Sequence, residues 1–184
     1  MFNIDVYEGK TNTTKDYFDI AKIVLDEQKT QGYQGGYGVF TDSAYGVKSM
    51  MEKFCKKREY GNEPNCAFHI IITFSYIPSY VTIDDLYEYM EHVSDILGLN
   101  HQNVYGIHHN NFEIETESLE IHMLLNAVTW KSKSYSMGTV LPKEFAITYI
   151  AGTLYQAAAY MTNPMLDTIS ALSYSDSCFD EIRK

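Results

Sequence analysis

Hydrophobic and polar residues alternate along this chain with two periods, one typical of strands and one typical of helices. A period of two, or a continuous β-branched run, predicts strands over residues 2–8, 67–75, 103–109 and 118–130, with room for a short strand within 32–38. A period near 3.6 predicts helices over residues 15–27, 41–58, 82–98 and 141–162, before a last short helix. Helices alternate with strands until the two consecutive final strands. We therefore expect an α+β domain with a central, largely antiparallel β-sheet and helices packed on it.

Residues that favour helix ends agree with these boundaries. Asp42 is a candidate N-cap for the helix over 41–58, and Thr82 with Asp85 has the spacing of a capping box. Gly98 suits a C-terminal cap because glycine readily adopts the left-handed backbone conformation. The capping residues and the hydrophobic periods therefore predict the same helices.

The helix predicted over residues 141–162 is apolar nearly all round. Pro142 fits its first turn, and Gly152 and Gln156 interrupt its apolar surface. It is too short and too polar for a convincing membrane span, so no membrane partner is expected. Its apolar surface predicts either burial against the sheet or a surface that binds a partner.

Three side chains with metal-binding chemistry are predicted to converge on two neighbouring strands. Since successive strand residues point to opposite faces, Glu120 and His122 leave the sheet on the same face. If His108 ends the adjacent strand, the three would suit a divalent metal with open coordination positions. The alternative is that they only face solvent. His69, on an earlier strand with apolar neighbours, is interpreted as a core residue rather than a ligand.

The order of these residues resembles the relaxase branch of the HUH endonucleases, the mobilization nucleases that nick plasmids and integrative elements. In that family a His ends one strand, and a His-x-His motif followed by an Asn lies on the next. The matching residues here are His108, Glu120, His122 and Asn126. Residues 68–75, 81–86 and 25–30 are similar to the family's buried strand, the start of its following helix and its Asn-Pro-Glu-Lys-Thr turn. The resemblance covers roughly residues 15–135.

The resemblance implies metal-dependent transesterification of single-stranded DNA at an origin of transfer. His108, Glu120 and His122 would hold one divalent metal. Mg²⁺ or Mn²⁺ is the expected ion, because a glutamate oxygen is a hard ligand that suits both. A mobilization accessory protein is a further expected partner.

In the same family a tyrosine hydroxyl attacks the scissile phosphate and leaves a 5′-phosphotyrosine bond with a free 3′-OH. The candidate nucleophile in this chain is Tyr17, with Tyr33 and Tyr37 as alternatives on a predicted loop. Lys131 and Lys133 follow the second of the two site strands, and they are expected to meet the phosphate backbone of the DNA.

Three departures from the family pattern support other hypotheses. Glu120 replaces the second histidine, Asn110 replaces an aspartate that would support the histidines, and the position of the nucleophilic tyrosine falls near Ile23. A second hypothesis is therefore a degenerate relaxase-like domain that binds DNA or a protein without cutting. A third is an acidic interaction module that dimerises or docks a partner through its apolar last helix.

Composition limits these hypotheses. The 184 residues suit a single domain over 1–184, either whole or the N-terminal piece of a longer protein. The net charge of −10 argues against a broad DNA-binding surface, although residues 41–58 carry five Lys and Arg against two Asp and Glu. The three cysteines have no CxxC spacing, and no signal peptide is visible, so reduced thiols and a cytoplasmic location are expected.

Overall fold

The computed structural model describes residues 2–9, 16–57, 67–74, 77, 80–108, 119–129, 141 and 143–160. Its strands are β1 (Phe2–Gly9), β2 (Gln34–Tyr37), β3 (Ala67–Phe74), β4 (His101–His108) and β5 (Leu119–Thr129). Its helices are α1 (Asp16–Val24), α2 (Glu27–Thr30), α3 (Ala44–Lys57), α4 (Ile83–Gly98) and α5 (Lys143–Tyr160). The strands form one sheet in the order β1-β3-β5-β4-β2, and all neighbours pair antiparallel. The predicted α+β class with an antiparallel sheet is confirmed.

Helices cover both faces of this sheet. On one face α4 and α5 pack over the larger apolar core, to which β5 contributes Leu119, Ile121, Met123 and Leu125. On the other face α1 contacts β4, β5 and α3. The smaller core on that face includes Val24, Val47, Met51, Leu124 and Val128. Because side chains alternate along β5, this one strand supplies both cores.

The β1–β3 half of the second face is less covered than the β4–β5 half. On β3, His69, Ile71 and Thr73 are half-buried, whereas the residues between them are buried in the larger core. On β1, Tyr7 lies opposite His69 and is 54% exposed. The sheet therefore offers a solvent-facing surface beside the core that α1 and α3 cover.

The start of α3 differs from the sequence prediction. The helix begins at Ala44, and the Gly46 N–H donates to Ser43 Oγ at 3.1 Å. Ser43 rather than Asp42 therefore caps α3. Both residue types are good caps, so local sequence did not distinguish two adjacent candidates.

The ends of α4 follow the prediction at one terminus only. The capping box of Thr82 and Asp85 is confirmed. At the other end Gly98 is the last helical residue, and the cap position is Leu99 in a right-handed conformation, so the predicted glycine cap is wrong. A Cβ on Gly98 would collide with the ring of Tyr37. This glycine therefore permits close packing of α4 against β2.

Helix α5 buries one side and exposes part of the other. Its buried apolar residues are Ala146, Ile150, Leu154, Ala157 and Ala158. They lie in the larger core, where α5 contacts α4 and β1, whereas Phe145 and Ile147 are exposed. Among the described residues, none of the helices combines the length and apolar content that a membrane crossing requires. The last short helix of the sequence prediction lies outside the described residues.

Candidate metal centre

The structure brings His108, Glu120 and His122 together on one face of the sheet. His108 and Glu120 are opposite each other in the β4–β5 pair, and His122 is two residues further along β5. His122 Nε2 lies 3.2 Å from Glu120 Oε2. The ring of His108 stacks on that of His122, with centroids 4.1 Å apart. Strand alternation and the β4–β5 pairing thus produce the convergence that the sequence predicts.

The two histidines are buried, whereas the side chain of the glutamate beside them is exposed to solvent. His108 and His122 are each 7% exposed, whereas the side chain of Glu120 is 50% exposed. Within the described part of the chain, His108 Nε2 is buried and has no hydrogen-bond partner. A buried ring nitrogen without a partner is costly, so this atom is an available donor or metal ligand.

His69 joins this cluster, whereas its apolar sequence neighbours predict a core residue. Its Nε2 atom lies 3.0 Å from His122 Nδ1. In the β3–β5 pair His69 is opposite Leu124, so His122 is its diagonal neighbour on the same face. The missing information was strand order: no local pattern showed that β3 would lie beside β5.

A fourth ring extends the row to the sheet edge. The Tyr7 ring centroid is 6.1 Å from that of His69. The rings of Tyr7, His69, His122 and His108 therefore come one from each of four adjacent strands, running from an exposed end to a buried one. Sequence reasoning gave Tyr7 no role beyond its strand.

Burial holds the three imidazoles in their neutral form. It lowers the pKa of His69 and of His108 to about 4, with the charge of His122 as the second cause in each. Burial also lowers the pKa of His122, although hydrogen bonding to Glu120 opposes the shift. Neutral imidazole is the form that coordinates metal ions, so the cluster is available for coordination at neutral pH.

Lys29 adds a positive charge beside the cluster. The turn from α1 to α2 lies directly over β4: a Cβ on Gly106 would collide with the Val24 carbonyl and contact Thr30. That placement brings Lys29, which precedes Thr30, close enough for its charge to lower the pKa of both His108 and His122. Lys131 and Lys133, the predicted phosphate contacts, lie outside the described residues.

Tyr17 lies in the smaller core rather than beside the histidines. It is 5% exposed, and its hydroxyl is 3.5 Å from Cys55 Sγ. Cys55 in turn contacts Asn126, which is four residues from His122 on β5. Four strand residues span about 13 Å, so the Tyr17 hydroxyl is well removed from the candidate metal ligands.

The two alternative tyrosines lie on the opposite face of the sheet. Tyr33 packs against the larger core and donates to Asp84 Oδ1 at 3.0 Å. This hydrogen bond is the main cause of its raised pKa, which disfavours the phenolate form. Tyr37 packs on Gly98 of α4. Neither ring shares a face with the histidines.

Asn126, matched to the family's Asn, has a structural role. It is fully buried, donates to Gln102 Oε1 at 3.0 Å and accepts from the Val128 N–H at 3.0 Å. These bonds satisfy polar groups between β4 and β5 next to Cys55.

One pair of donor atoms in the cluster has the spacing that a divalent ion requires, but a complete set of three ligands is not yet arranged. Two ligands about 2.1 Å from one ion and about 90–110° apart are separated by about 3.0–3.4 Å. The 3.2 Å between His122 Nε2 and Glu120 Oε2 fits that range. No group of three or more His, Cys, Asp or Glu side chains is already arranged to hold a metal ion in the described residues. The exposed Glu120 side chain has room to move.

Comparison with known proteins gives no further information on this cluster. No protein-family model matches the chain, and neither does any curated protein or any solved structure.

Proposed function

We propose that this chain is a divergent relaxase-like nuclease that nicks single-stranded DNA at an origin of transfer, using a divalent metal bound by His108, Glu120 and His122. The supporting observation is the convergence of these side chains. His122 Nε2 and Glu120 Oε2 are at ligand spacing, and His108 Nε2 has no hydrogen-bond partner among the described residues. The antiparallel sheet with helices on both faces is compatible with a relaxase-like fold. No comparison bears on the family.

Each residue of the cluster has a definite chemical role in this proposal. Neutral His108 and His122 offer nitrogen lone pairs, and Glu120 offers a charged oxygen that favours Mg²⁺ or Mn²⁺. When bound, such an ion would polarise an oxygen of the scissile phosphate. The exposed side of Glu120 leaves an approach for that phosphate, and the charge of Lys29 would attract it.

The attacking group in the proposed reaction is a tyrosine hydroxyl. Its oxygen forms a bond to phosphorus, the bond from phosphorus to the 3′ oxygen breaks, and the phenol proton goes in net to that leaving oxygen. Tyr17 could attack only after α1 left the sheet, since its hydroxyl is buried beside Cys55. Tyr7 is exposed beside His69, but β1 lies two strands, about 10 Å, from β5, so attack by Tyr7 also requires a rearrangement. We propose Tyr7 as the attacking group because solvent reaches its ring, and we keep Tyr17 as the alternative.

The burial of Tyr17 also favours a second candidate function. In a degenerate relaxase-like domain that only binds DNA or a protein, the residue at this position would serve packing, as Tyr17 does here. The acidic net charge of −10 is easier to reconcile with protein binding than with broad DNA binding.

A covalent-capture experiment separates these functions. The protein is incubated with Mn²⁺ and a pool of random-sequence single-stranded oligonucleotides, and adducts are resolved on a denaturing gel. The nuclease proposal predicts adducts with a subset of sequences, lost on chelation and in Glu120→Gln. Glu88→Gln, an exposed carboxylate on α4, is the matched control and should retain them. DNA binding without adducts would support the degenerate domain instead.

Calorimetric titration with Mn²⁺ comes first. One site in the unmutated protein that disappears in His122→Ala supports the metal centre. Absence of binding to the unmutated protein would overturn the nuclease proposal before any DNA is added.

A further inference from the structure

Both ring nitrogens of His122 are engaged, one on each side. Nδ1 lies 3.0 Å from His69 Nε2, and Nε2 lies 3.2 Å from Glu120 Oε2. A neutral imidazole carries one proton, so one nitrogen donates and the other accepts. The group that His122 Nε2 faces therefore decides whether Nδ1 donates to His69 or accepts from it.

Without a cation, the Glu120 carboxylate is the stronger acceptor of the two neighbours. His122 then carries its proton on Nε2 and donates to Glu120, while Nδ1 accepts from a proton on His69 Nε2. With a cation between His122 Nε2 and Glu120, that nitrogen must offer its lone pair. The His122 proton then moves to Nδ1, and His69 Nε2 must become the acceptor.

We propose that His69 is a positioning residue that reverses its hydrogen bond to His122 when a divalent cation binds. This inference rests on the metal site of the proposed function. An imidazole suits this place because its Nε2 atom can either donate or accept, depending on the tautomer. His69 keeps its proton count: the proton on Nε2 is exchanged for one on Nδ1 through solvent. The half-exposed position of His69 on β3 gives the ring access to water for that exchange.

The orientation of His122 also favours coordination through Nε2 rather than Nδ1. Glu120 Oε2 lies on the Nε2 side, and the neighbouring His108 contributes an Nε2 atom that has no partner within the part of the chain that the structure describes. On the Nδ1 side the contact is His69, a ring partly packed against Tyr7. A metal on the Nε2 side therefore gains a carboxylate and a second imidazole.

The tautomers can be read directly by ¹⁵N NMR of the histidine rings, with Zn²⁺ as a diamagnetic cation. We expect His122 to carry its proton on Nε2 in metal-free protein and on Nδ1 after Zn²⁺ is added, with His69 Nε2 changing from protonated to unprotonated. Unchanged tautomers in protein that binds Zn²⁺ would overturn the inference, as would coordination through His122 Nδ1.

Substitutions at His69 give a second readout. His69→Gln keeps a side chain that can donate or accept and should bind Mn²⁺ nearly as tightly as the unmutated protein. His69→Leu has neither ability and should bind about 10-fold or more weakly, the usual cost of losing the partner of a ligating histidine. His92→Leu, on α4 at the other face, is the control and should leave the affinity unchanged. Equal affinities for all variants would contradict a positioning role.

These outcomes keep the inference separate from the nuclease proposal. Reversed tautomers in protein that forms no DNA adduct would support His69 positioning and count against the nuclease. DNA adducts without tautomer reversal would do the opposite. A protein that binds neither Mn²⁺ nor Zn²⁺ would overturn both.

Discussion

The rings of His108 and His122 lie face to face, with centroids 4.1 Å apart and planes inclined by 20°. Two imidazolium ions would repel each other strongly at this distance. The stacked pair therefore requires that at least one ring is neutral, and neutral imidazole is also the form that coordinates a cation.

Replacing Glu120 by Gln should weaken Mn²⁺ binding by at least about 10-fold, because an outer partner of a ligand alone has effects of that size. The amide keeps the shape of the side chain and removes its charge, and the exposed position tolerates the change. Calorimetric titration measures the affinity, with Glu88→Gln as the charge-matched control on α4. Equal loss in both variants would point to net charge rather than coordination.

The free energy of unfolding should decrease as the pH falls from about 6.5 to about 4. In this window the unfolded chain protonates histidines with an ordinary pKa of 6.5, whereas folded His69 and His108 stay neutral until about pH 4. The unfolded state binds more protons, so acid favours it. Urea unfolding midpoints across this range measure the effect. The pH dependence should be shallower in His69→Gln, and an unchanged slope would contradict its burial as a neutral group.

Gly106→Ala should destabilise the protein by about 2 kcal/mol or more, because its Cβ would collide with the Val24 carbonyl. The displaced turn lies beside His108, so Mn²⁺ affinity should fall as well. Gly152→Ala is the matched control: apart from the backbone of α5 itself and the two adjacent residues, its Cβ would meet no atom of the described residues within 4 Å. It should stabilise by about 0.5–1 kcal/mol, since alanine favours helix more than glycine. Thermal unfolding distinguishes the two directions.

Tyr7→Phe and Tyr17→Phe should have opposite effects. Tyr17→Phe removes the buried hydroxyl contact to Cys55 and should cost about 1 kcal/mol of stability while retaining DNA adducts. Tyr7→Phe should leave stability nearly unchanged, because the ring is 54% exposed, and should abolish the adducts. Urea unfolding and covalent capture give the two measurements. Adducts lost only in Tyr17→Phe would identify Tyr17 on α1 as the nucleophile.

The parts of the site that local periodicity controls could be predicted from the sequence. Alternation along one strand was enough to place Glu120 and His122 on the same face. The expectation that consecutive strands pair with each other placed His108 beside them. The fold class followed from the order in which strand-like and helix-like hydrophobic periods occur along the chain.

The parts that depend on strand order could not be predicted. His69 and His122 are 53 residues apart, and they meet only because β3 pairs with β5. Tyr17 fits a helix stripe equally well whether the stripe faces a core or a cleft, and only the packing of α1 shows that its hydroxyl is buried. Gly98 is a residue type that often caps helices, but here its lack of a side chain makes room for the Tyr37 ring.

The middle strand of the sheet is also the last of the described strands in the chain, and this has a consequence for synthesis. β3 and β4 each pair with β5 and are not neighbours of each other. As the chain leaves the ribosome from its N-terminus, these two strands emerge before the strand that joins them. A nascent chain shorter than about 129 residues therefore holds His69 and His108 without a common partner. Ribosome-bound chains should remain unable to capture metal until β5 has emerged.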